Sequence, residues 1–388
     1  MDWHLECSDC GNTAPPDGLP TVCNLCGRPW LVRYPNRTHA ITERAEARRR
    51  RGMWRFRSFL PLEPEEEPVT LGEGDTPLLA VPRLAASLGL GDVWVKDEGC
   101  NPTGSFKARG LSAAITRAVA AGARQFVVPT AGNAGVASAA YAARAGASVR
   151  VYAPRTTPRT ILSQIVAFGG DLVLIDGHIG DCGKAARAWS AETGAMDLST
   201  LKEPYRIEGK KTLGLELAMQ MNWVLPDAII YPTGGGTGLI GMWKAFVELR
   251  AAGWVTSELP RMYTVQSTGC APIVRAFEAG AADAVPWTEP WTIASGLRVP
   301  GPLGDRLMLR ILRETGGGAV AVTDETMMEL ATLATRDEGI DVGPEGGAAF
   351  AGLVQLQGSG AIRPTDRVIV FNTGAGWLYR DASALVAG

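Results

Sequence analysis

Ala228-Ile-Ile-Tyr-Pro-Thr-Gly-Gly-Gly-Thr-Gly-Leu-Ile-Gly241 is the stretch of the 388-residue chain that decides its fold class. It begins with a short apolar run, continues through a cluster of glycines and ends in a helix-like segment that extends to Ala251. A continuous apolar strand followed by a helix is typical of a parallel sheet covered on both faces. The stretch therefore predicts an α/β fold.

The same alternation of β-rich runs and alanine-rich helical segments extends from about Thr76 to the C-terminal region. We predict strands at 93–96, 125–129, 148–153, 171–175, 228–231, 261–266 and 368–371. We predict helices at 108–121, 134–145, 157–168, 183–192, 212–221 and 239–251. This pattern favours more than one sheet.

The glycine cluster of the opening stretch is a candidate phosphate site. Its residues are Thr233, Gly234, Gly235, Gly236, Thr237 and Gly238. Backbone N–H groups approach a phosphate closely where side chains are absent, and a helix N-terminus adds attraction. Residues 236–241 also match G-x-G-x-x-G, the dinucleotide-binding fingerprint. Glu258 lies near the position at which that fingerprint has an acidic residue. Because Glu258 lies in a turn-like stretch before Pro260 and not at a strand end, we favour a monophosphate.

A second segment, Asn-Pro-Thr-Gly-Ser-Phe-Lys at residues 101–107, ends on Lys107 directly before an alanine-rich helix. Pro102 favours an extended residue before it, and Gly104 permits a tight turn. An ammonium group is disfavoured at a helix N-terminus, and an amine must be neutral to attack an aldehyde. Lys107 is therefore a candidate Schiff-base lysine. Since most lysines at helix starts are simply solvated, the neighbouring loops decide.

Two further loops follow predicted strands. The first contains small residues after the strand at 125–129: Thr130, Ala131, Gly132, Asn133 and Ala134. Small residues at a helix start expose N–H groups to a carboxylate, and Asn133 offers an amide to a cofactor hydroxyl. The second loop contains Thr373, whose hydroxyl suits a ring nitrogen and favours elimination or replacement over transamination. A turn that binds no ligand could have the same sequence as either loop alone. Both loops, however, follow the carboxyl ends of predicted strands, which is where α/β sheets bind ligands.

Composition excludes several function classes. The formal net charge of −2 argues against a nucleic-acid partner. Neither a signal peptide nor an apolar run of membrane-spanning length is recognisable, so we expect a cytoplasmic protein without a membrane partner. The three histidines, His4, His39 and His178, lie in no recognisable motif. Acid–base chemistry therefore falls to lysine, to carboxylates or to a cofactor.

Four cysteines form two C-x₂-C pairs, each followed by a glycine: Cys7, Cys10, Cys23 and Cys26. This is the spacing of a zinc ribbon, in which four thiolates hold a structural zinc or iron and leave no open position. Without a secretion signal, the pattern favours metal over disulfides, and an empty or oxidised vestige is the alternative. We expect residues 1–34 to form a small zinc-ribbon-like module.

Several segments together resemble the threonine synthases, which are pyridoxal 5′-phosphate (PLP) enzymes of fold type II, the tryptophan synthase β type. They are residues 71–79 (LGEGDTPLL), 95–99 (VKDEG), 101–107 (NPTGSFK), 132–133 (GN), 206–212 (RIEGKKT) and 373–374 (TG). The resemblance covers essentially the whole chain. It implies two open α/β domains, a large PLP-binding one formed by residues 35–115 and 205–388 and a small one formed by residues 116–204. It also implies a homodimer.

The resemblance implies roles for the cofactor-binding residues. Lys107 would be the Schiff-base lysine and the mobile proton carrier. Asn133 would contact the PLP 3′-hydroxyl, and Thr373 the pyridine nitrogen. The PLP phosphate would be held by Gly234, Gly235, Gly236, Thr237 and Gly238.

The resemblance also implies a substrate, O-phospho-L-homoserine, which loses phosphate by γ-elimination and gains water at Cβ to give L-threonine. Arg206 would bind the substrate phosphate with help from Ser199. The substrate carboxylate would be bound by Thr130, Ala131, Gly132 and Ala134. A reaction in which one base transfers protons among several carbon atoms needs few acid–base residues, which agrees with the small number of histidines in the chain.

Three departures from the family pattern lie where the substrate would bind. The family's Lys-Asp-Arg-Gly reads Lys-Ala-Arg-Gly at 107–110, the phosphate loop resembles that of amino-acid dehydratases, and the stretch before Arg206 is long. A threonine or serine dehydratase, or a β/γ-replacement enzyme, is therefore the main alternative. Two others are a nicotinamide-dependent dehydrogenase built on residues 236–241 and a non-catalytic zinc-ribbon interaction protein.

Overall fold

The computed structural model describes residues 1–380. Thirteen strands lie in this part of the chain: β1 His4–Cys7, β2 Thr13–Ala14, β3 Trp30–Arg33, β4 Leu78–Ala80, β5 Asp92–Asp97, β6 Gln125–Pro129, β7 Ser148–Pro154, β8 Asp171–Ile175, β9 Met196–Asp197, β10 Ala228–Pro232, β11 Arg261–Ser267, β12 Gly318–Val322 and β13 Arg367–Asn372. They form three separate sheets.

Twelve α-helices lie among the same residues: α1 Glu43–Arg49, α2 Pro82–Ser87, α3 Lys107–Ala120, α4 Asn133–Arg144, α5 Arg159–Ala167, α6 Ile179–Thr193, α7 Tyr205–Gln220, α8 Thr237–Ala251, α9 Pro272–Glu278, α10 Asp305–Glu314, α11 Asp324–Glu338 and α12 Pro344–Gly358. None of the helices described is long and apolar enough to cross a membrane.

The largest sheet has six strands in the order β12-β11-β10-β13-β5-β4. All neighbours are parallel except the edge pair β4 and β5. Successive side chains of β10 point to opposite faces, so Ile229 packs with the α7 and α8 side while Ile230 packs with the α11 and α12 side. Both residues are fully buried. The prediction of a strand covered on both faces is confirmed.

The second sheet has four parallel strands in the order β8-β7-β6-β9. On one face, Phe126 and Val128 of β6 belong to the same apolar core as residues of α4 and α5. On the other face, Val127 packs against Cys182 and Ala186 of α6. The third sheet, β2-β1-β3, is antiparallel and contains residues of the N-terminal module.

The predicted strands agree with the observed ones to within one residue at each end. Among the six predicted helices, the largest error concerns α7, which begins at Tyr205 and not at residue 212, while α1, α2 and α9 to α12 were not among those predicted. Gly209 inside that helix is where α7 lies against the backbone of Arg109 on α3. The short strands β4 and β12 were not predicted. Strand β4 has only three residues at the edge of the sheet, and β12 is rich in glycine and alanine, so neither has a clear strand pattern in the sequence.

Candidate active site

One cavity lies at the carboxyl ends of β10 and β13, at the edge where α/β sheets bind ligands. It is lined by Phe106, Lys107, Asn133, Thr200, Tyr231, Pro232, Gly234, Gly235, Gly236, Thr237, Gly238, Gly296, Leu297, Val299, Glu345 and Thr373. The lysine segment, the Asn133 loop, the glycine loop and the Thr373 loop, which are far apart in sequence, therefore meet in one place.

Lys107 is the first residue of α3. The segment before it is fixed to the loop after β13, because the N–H of Phe106 donates to the carbonyl of Thr373 at 3.0 Å and Ser105 forms a β-bridge with Gly374. The helix start and the end of β13 are thereby held in one arrangement.

Burial lowers the pKa of Lys107 to about 7, and the positive charge of Arg206 contributes to the same shift. The sequence predicted the direction from the helix N-terminus alone. Burial is the larger cause, because a charged amine loses its hydration there. Lys107 is thus able to be a neutral nucleophile near neutral pH.

The glycine loop between β10 and α8 has no room for side chains. A Cβ at Gly236 would overlap the Met308 sulfur, and one at Gly238 would overlap the Tyr231 hydroxyl. Gly236 also has a φ of +81°, which favours glycine. Helix α8 starts directly after it at Thr237, so backbone N–H groups and the helix dipole are directed at the cavity. The arrangement fits a phosphate.

Asn133 is the first residue of α4. Its Oδ1 atom is buried and has no hydrogen-bond partner among residues 1–380. A Cβ at Gly374 would lie 3.1 Å from the Asn133 Nδ2 atom, so this glycine lets the amide approach the Thr373 loop. Thr373 is buried and lines the same cavity.

Arg206, the second residue of α7, is almost completely buried. Its Nη1 atom donates to the carbonyl of Leu198 at 2.6 Å, while Nε and Nη2 have no partner in the described part of the chain. Burial lowers the pKa of Arg206 and raises the pKa of the neighbouring Glu203 carboxyl to about 7. A buried guanidinium with free N–H groups is able to receive an anion.

Two predicted substrate residues have their hydroxyls engaged elsewhere. The hydroxyl and the N–H of Ser199 both donate to Asp197, and the neighbouring Thr200 lines the cavity instead. The Thr130 hydroxyl accepts from the N–H groups of Gly132 and Gly135 at 3.1 and 3.2 Å. Thr130 therefore shapes its own loop.

Glu345, in the first turn of α12, is a cavity residue that sequence reasoning missed. Its Oε1 atom accepts from the Gly296 N–H at 2.8 Å and from the Tyr379 hydroxyl at 2.6 Å. Its Oε2 atom is buried without a partner among residues 1–380. The available signal was a carboxylate in an otherwise apolar, glycine-rich helix start, Gly343-Pro-Glu-Gly-Gly347.

Lys210 is a second buried lysine near Lys107, and the sequence did not single it out. Its Nζ atom donates to the carbonyl of Phe106 and lies 3.8 Å from the centre of that ring. The Nζ atom of Lys107 lies 4.5 Å from the same ring centre. Burial, and next the charge of Lys107, holds the pKa of Lys210 well below its usual range.

A buried ionic cluster supports the start of α3. Arg109 pairs with Glu98 at 2.7 Å and with Glu216 at 3.0 Å, and Lys96 pairs with Glu216 at 2.6 Å. All four side chains are fully buried. Removing one partner of such a cluster costs about 3–5 kcal/mol, because a charge is left uncompensated. Lys96 and Glu98 of the segment 95–99 thus help to hold the helix that begins with Lys107 in place.

The four paired cysteines come together in the N-terminal module. Their sulfur atoms all lie within 4.8 Å of one another, with 3.3 Å between Cys7 and Cys26 and 3.7 Å between Cys10 and Cys23. Gly27, directly after the second pair, has a φ of +72°, as a tight turn around the sulfurs requires. The cluster is a candidate metal centre.

Comparison with known proteins defines the class to which this site belongs. Residues 69–374 match the family model described as "Pyridoxal-phosphate dependent enzyme". The fold is similar to that of maize serine racemase, with a TM-score of 0.70 and 23% identity over 80% of this chain and 90% of that one. The chain belongs to the pyridoxal-phosphate dependent enzymes and has the α/β architecture of their fold type II.

Curated relatives place the chain more narrowly. It is 34% identical to a threonine synthase of Methanocaldococcus jannaschii, over 97% of this chain and 93% of that protein. It is also 34% identical to a threonine synthase of Methanosarcina acetivorans, over 96% of this chain and 91% of that protein. Within the PLP-dependent enzymes, the chain is a member of the threonine synthase family.

Proposed function

We propose that the protein converts O-phospho-L-homoserine into L-threonine by γ-elimination of phosphate and addition of water at Cβ. Membership of the threonine synthase family supports this reaction. The observation that carries the substrate assignment is Arg206, whose buried guanidinium keeps two nitrogen atoms without a partner among the described residues. A buried cation of this kind favours an anionic ligand.

The cavity residues fit PLP. The glycine loop Gly234–Gly238 would hold the cofactor phosphate, since backbone N–H groups are exposed there and side chains are excluded. The Asn133 amide, with its unpartnered Oδ1 atom, would contact the 3′-hydroxyl. Thr373 would contact the pyridine nitrogen. PLP, when bound, supplies an electron sink that stabilises negative charge at the substrate Cα.

Lys107 would be the covalent attachment point and the base. Its lowered pKa supports both roles, because the neutral amine attacks an aldehyde and later removes a proton from Cα. The same amine would then move protons at Cβ as phosphate leaves and water adds. Among residues 1–380, no histidine lines the cavity, which is consistent with one lysine doing this work.

The substrate would be bound between two loops. The N–H groups at the start of α4, in the loop of residues 130–134, would bind the carboxylate. Arg206 would bind the phosphate. Thr200, which lines the cavity, is better placed to assist than Ser199, whose hydroxyl already donates to Asp197.

Four further assignments are part of the proposal. The sulfur cluster of the N-terminal module would hold a structural zinc, because four thiolates at this spacing match a closed zinc site. The α/β body would divide into a large domain of residues 35–115 and 205–388 and a small one of residues 116–204. The protein would act in the cytoplasm as a homodimer.

The reaction is tested with the purified PLP-loaded protein. We expect O-phospho-L-homoserine to yield phosphate and L-threonine in equal amounts. Keto-acid formation from L-threonine and L-serine, measured in parallel, should be much slower. Rapid keto-acid formation without phosphate release would contradict the proposal and favour the dehydratase, to which the glycine loop is also similar.

A further inference from the structure

The second cysteine turn of the N-terminal module is joined to helix α10 by an ion pair. Arg28, which follows Cys26 and Gly27, donates from Nη1 to Asp305 at 2.6 Å. Asp305 is the first residue of α10 and is buried, and its second oxygen accepts from the N–H of Ala284 at 2.9 Å. A carboxylate in the first turn of a helix is also stabilised by the helix dipole. The pair therefore fixes the start of α10.

The first cysteine turn contacts the same helix. Arg306 donates to Asp9 at 3.0 Å, and Arg310 donates to the carbonyl of Ser8 at 3.3 Å. Both module residues lie between Cys7 and Cys10. The two turns that would surround the metal thus both bind the same helix, α10.

Helix α10 in turn lies directly behind the glycine loop of the active site. The buried Met308 occupies the space that a Cβ at Gly236 would need. At the start of the helix, a Cβ at Gly304 would lie 2.7 Å from Leu201 and 4.0 Å from the carbonyl of Gly235. A shift of α10 would therefore move the backbone that forms the phosphate site.

We propose that Arg28 is a positioning residue for the phosphate loop, acting through Asp305 and the packing of Met308 against Gly236. Arg28 itself does not line the cavity. Arg28 follows Cys26 by only two residues. A change at the cysteine centre would therefore alter binding of the cofactor phosphate through Arg28, Asp305 and Met308. The inference rests on the proposed binding of the PLP phosphate at Gly234–Gly238.

The test is the affinity of the cofactor-free protein for PLP, measured from the near-visible absorption band during titration. For Arg28→Ala we expect roughly tenfold weaker PLP binding, equivalent to about 1.4 kcal/mol. Affinity for pyridoxal, which lacks the phosphate, should not change. At saturating PLP, kcat should be retained, because no group that touches the substrate has been altered.

Arg33→Ala is the matched control, since Arg33 pairs with Glu6 at 2.8 Å inside the module. It should bind PLP as the unmodified protein does. Asp305→Asn tests the same contact if Arg28→Ala folds poorly. The variant with both substitutions should bind PLP no more weakly than either single variant, as expected for two residues that act through one contact.

The inference is overturned if Arg28→Ala and Asp305→Asn bind PLP normally, or if PLP and pyridoxal weaken equally. Failure of the proposed function looks different: the unmodified protein would then bind PLP no better than pyridoxal, or would bind PLP without turning over O-phospho-L-homoserine.

Discussion

The proposed cofactor side and the proposed substrate side of the site are built by different means. On the cofactor side, Gly236 and Gly238 leave a bare backbone that the neighbouring Met308 and Tyr231 keep free of side chains. The proposed substrate side relies instead on Arg206 and Glu203, two buried charged groups that do not line the cavity, each with at least one polar atom that has no partner among residues 1–380.

This difference indicates what each side requires of its ligand. A backbone cradle is set by steric exclusion, so its affinity should depend little on pH and strongly on the absence of a single Cβ. Buried charges without partners are unfavourable until an oppositely charged group arrives, so their effect should depend on charge and pH.

Removing the amine that both sides share should have the largest effect. For Lys107→Ala we expect turnover to fall by at least roughly 10³-fold, because both the attachment point and the base are lost. The near-visible band of the PLP-loaded protein should disappear. Lys184→Ala, which changes an exposed lysine on α6, should behave like the unmodified protein. An unchanged spectrum in Lys107→Ala would exclude Lys107 as the attachment point.

Gly236→Ala tests the steric character of the cofactor side. We expect PLP affinity to fall about 100-fold, roughly 2.7 kcal/mol, because the new Cβ overlaps the Met308 sulfur and displaces the loop. Gly253→Ala is the control, since Gly253 has a similar φ of +68° but no atom within 4 Å of the added Cβ. Gly253→Ala should lose about 1 kcal/mol of stability from backbone strain, and Gly236→Ala should lose about 1–3 kcal/mol more from the overlap with Met308, both measured by thermal unfolding. Equal PLP affinities would contradict the steric account.

Arg206→Gln tests the electrostatic character of the substrate side. Loss of charge-assisted hydrogen bonds worth about 1.5–3 kcal/mol should raise KM for O-phospho-L-homoserine by about 10- to 100-fold. PLP affinity should stay unchanged. Arg155→Ala alters an exposed arginine that pairs with Asp176 and serves as the control. If KM stays constant and PLP binding weakens, Arg206 belongs to the cofactor side.

The pKa of Lys107 predicts how fast PLP attaches at different pH values. Burial lowers this pKa to about 7, so the fraction of neutral amine rises steeply with pH, reaches one half at about pH 7 and levels off above about pH 8. The rate of appearance of the near-visible band in the cofactor-free protein should rise about fivefold from pH 6 to pH 7. A rate that keeps rising to pH 10 would show an amine with an ordinary pKa.

The smallest effect is expected at Glu203. Burial raises its pKa to about 7, so its carboxyl is neutral below this pH and becomes negative above it. Above pH 7, the carboxylate would compete with the substrate phosphate for Arg206, and KM should rise by a few-fold. Glu203→Gln keeps an oxygen able to accept from the N–H groups of Tyr205 and Arg206 and should remove this rise. An unchanged pH profile of KM in Glu203→Gln would show that another group titrates.

The contrast between the two sides also explains what the sequence could predict. The proposed cofactor side consists of local patterns, a strand followed by glycines and a helix, so the sequence could predict the loops at Asn133, Gly234–Gly238 and Thr373 that line the cavity. The proposed substrate side depends on helix α7 starting at Tyr205, whereas the helix predicted from the sequence started at residue 212. Glu345 and Lys210 reach the site only through tertiary packing against Gly296 and Phe106, which no local spacing indicates.

The physical cause of the lysine's reactivity was likewise only partly predictable. The helix start was visible in the sequence, but the burial that dominates the pKa shift of Lys107 results from the loops at Asn133, Gly234–Gly238 and Thr373 meeting around it. The placement of Ser199 beside Asp197 is a similar case, since one residue of difference puts Thr200 in the cavity.

The covalent attachment point of PLP can be located directly by chemical labelling. The PLP-loaded protein is reduced with borohydride and digested, and the labelled peptide is sequenced by mass spectrometry. We predict that the cofactor mass is found on Lys107. A label on Lys210, the other buried lysine against Phe106, or no label at all, would contradict the account.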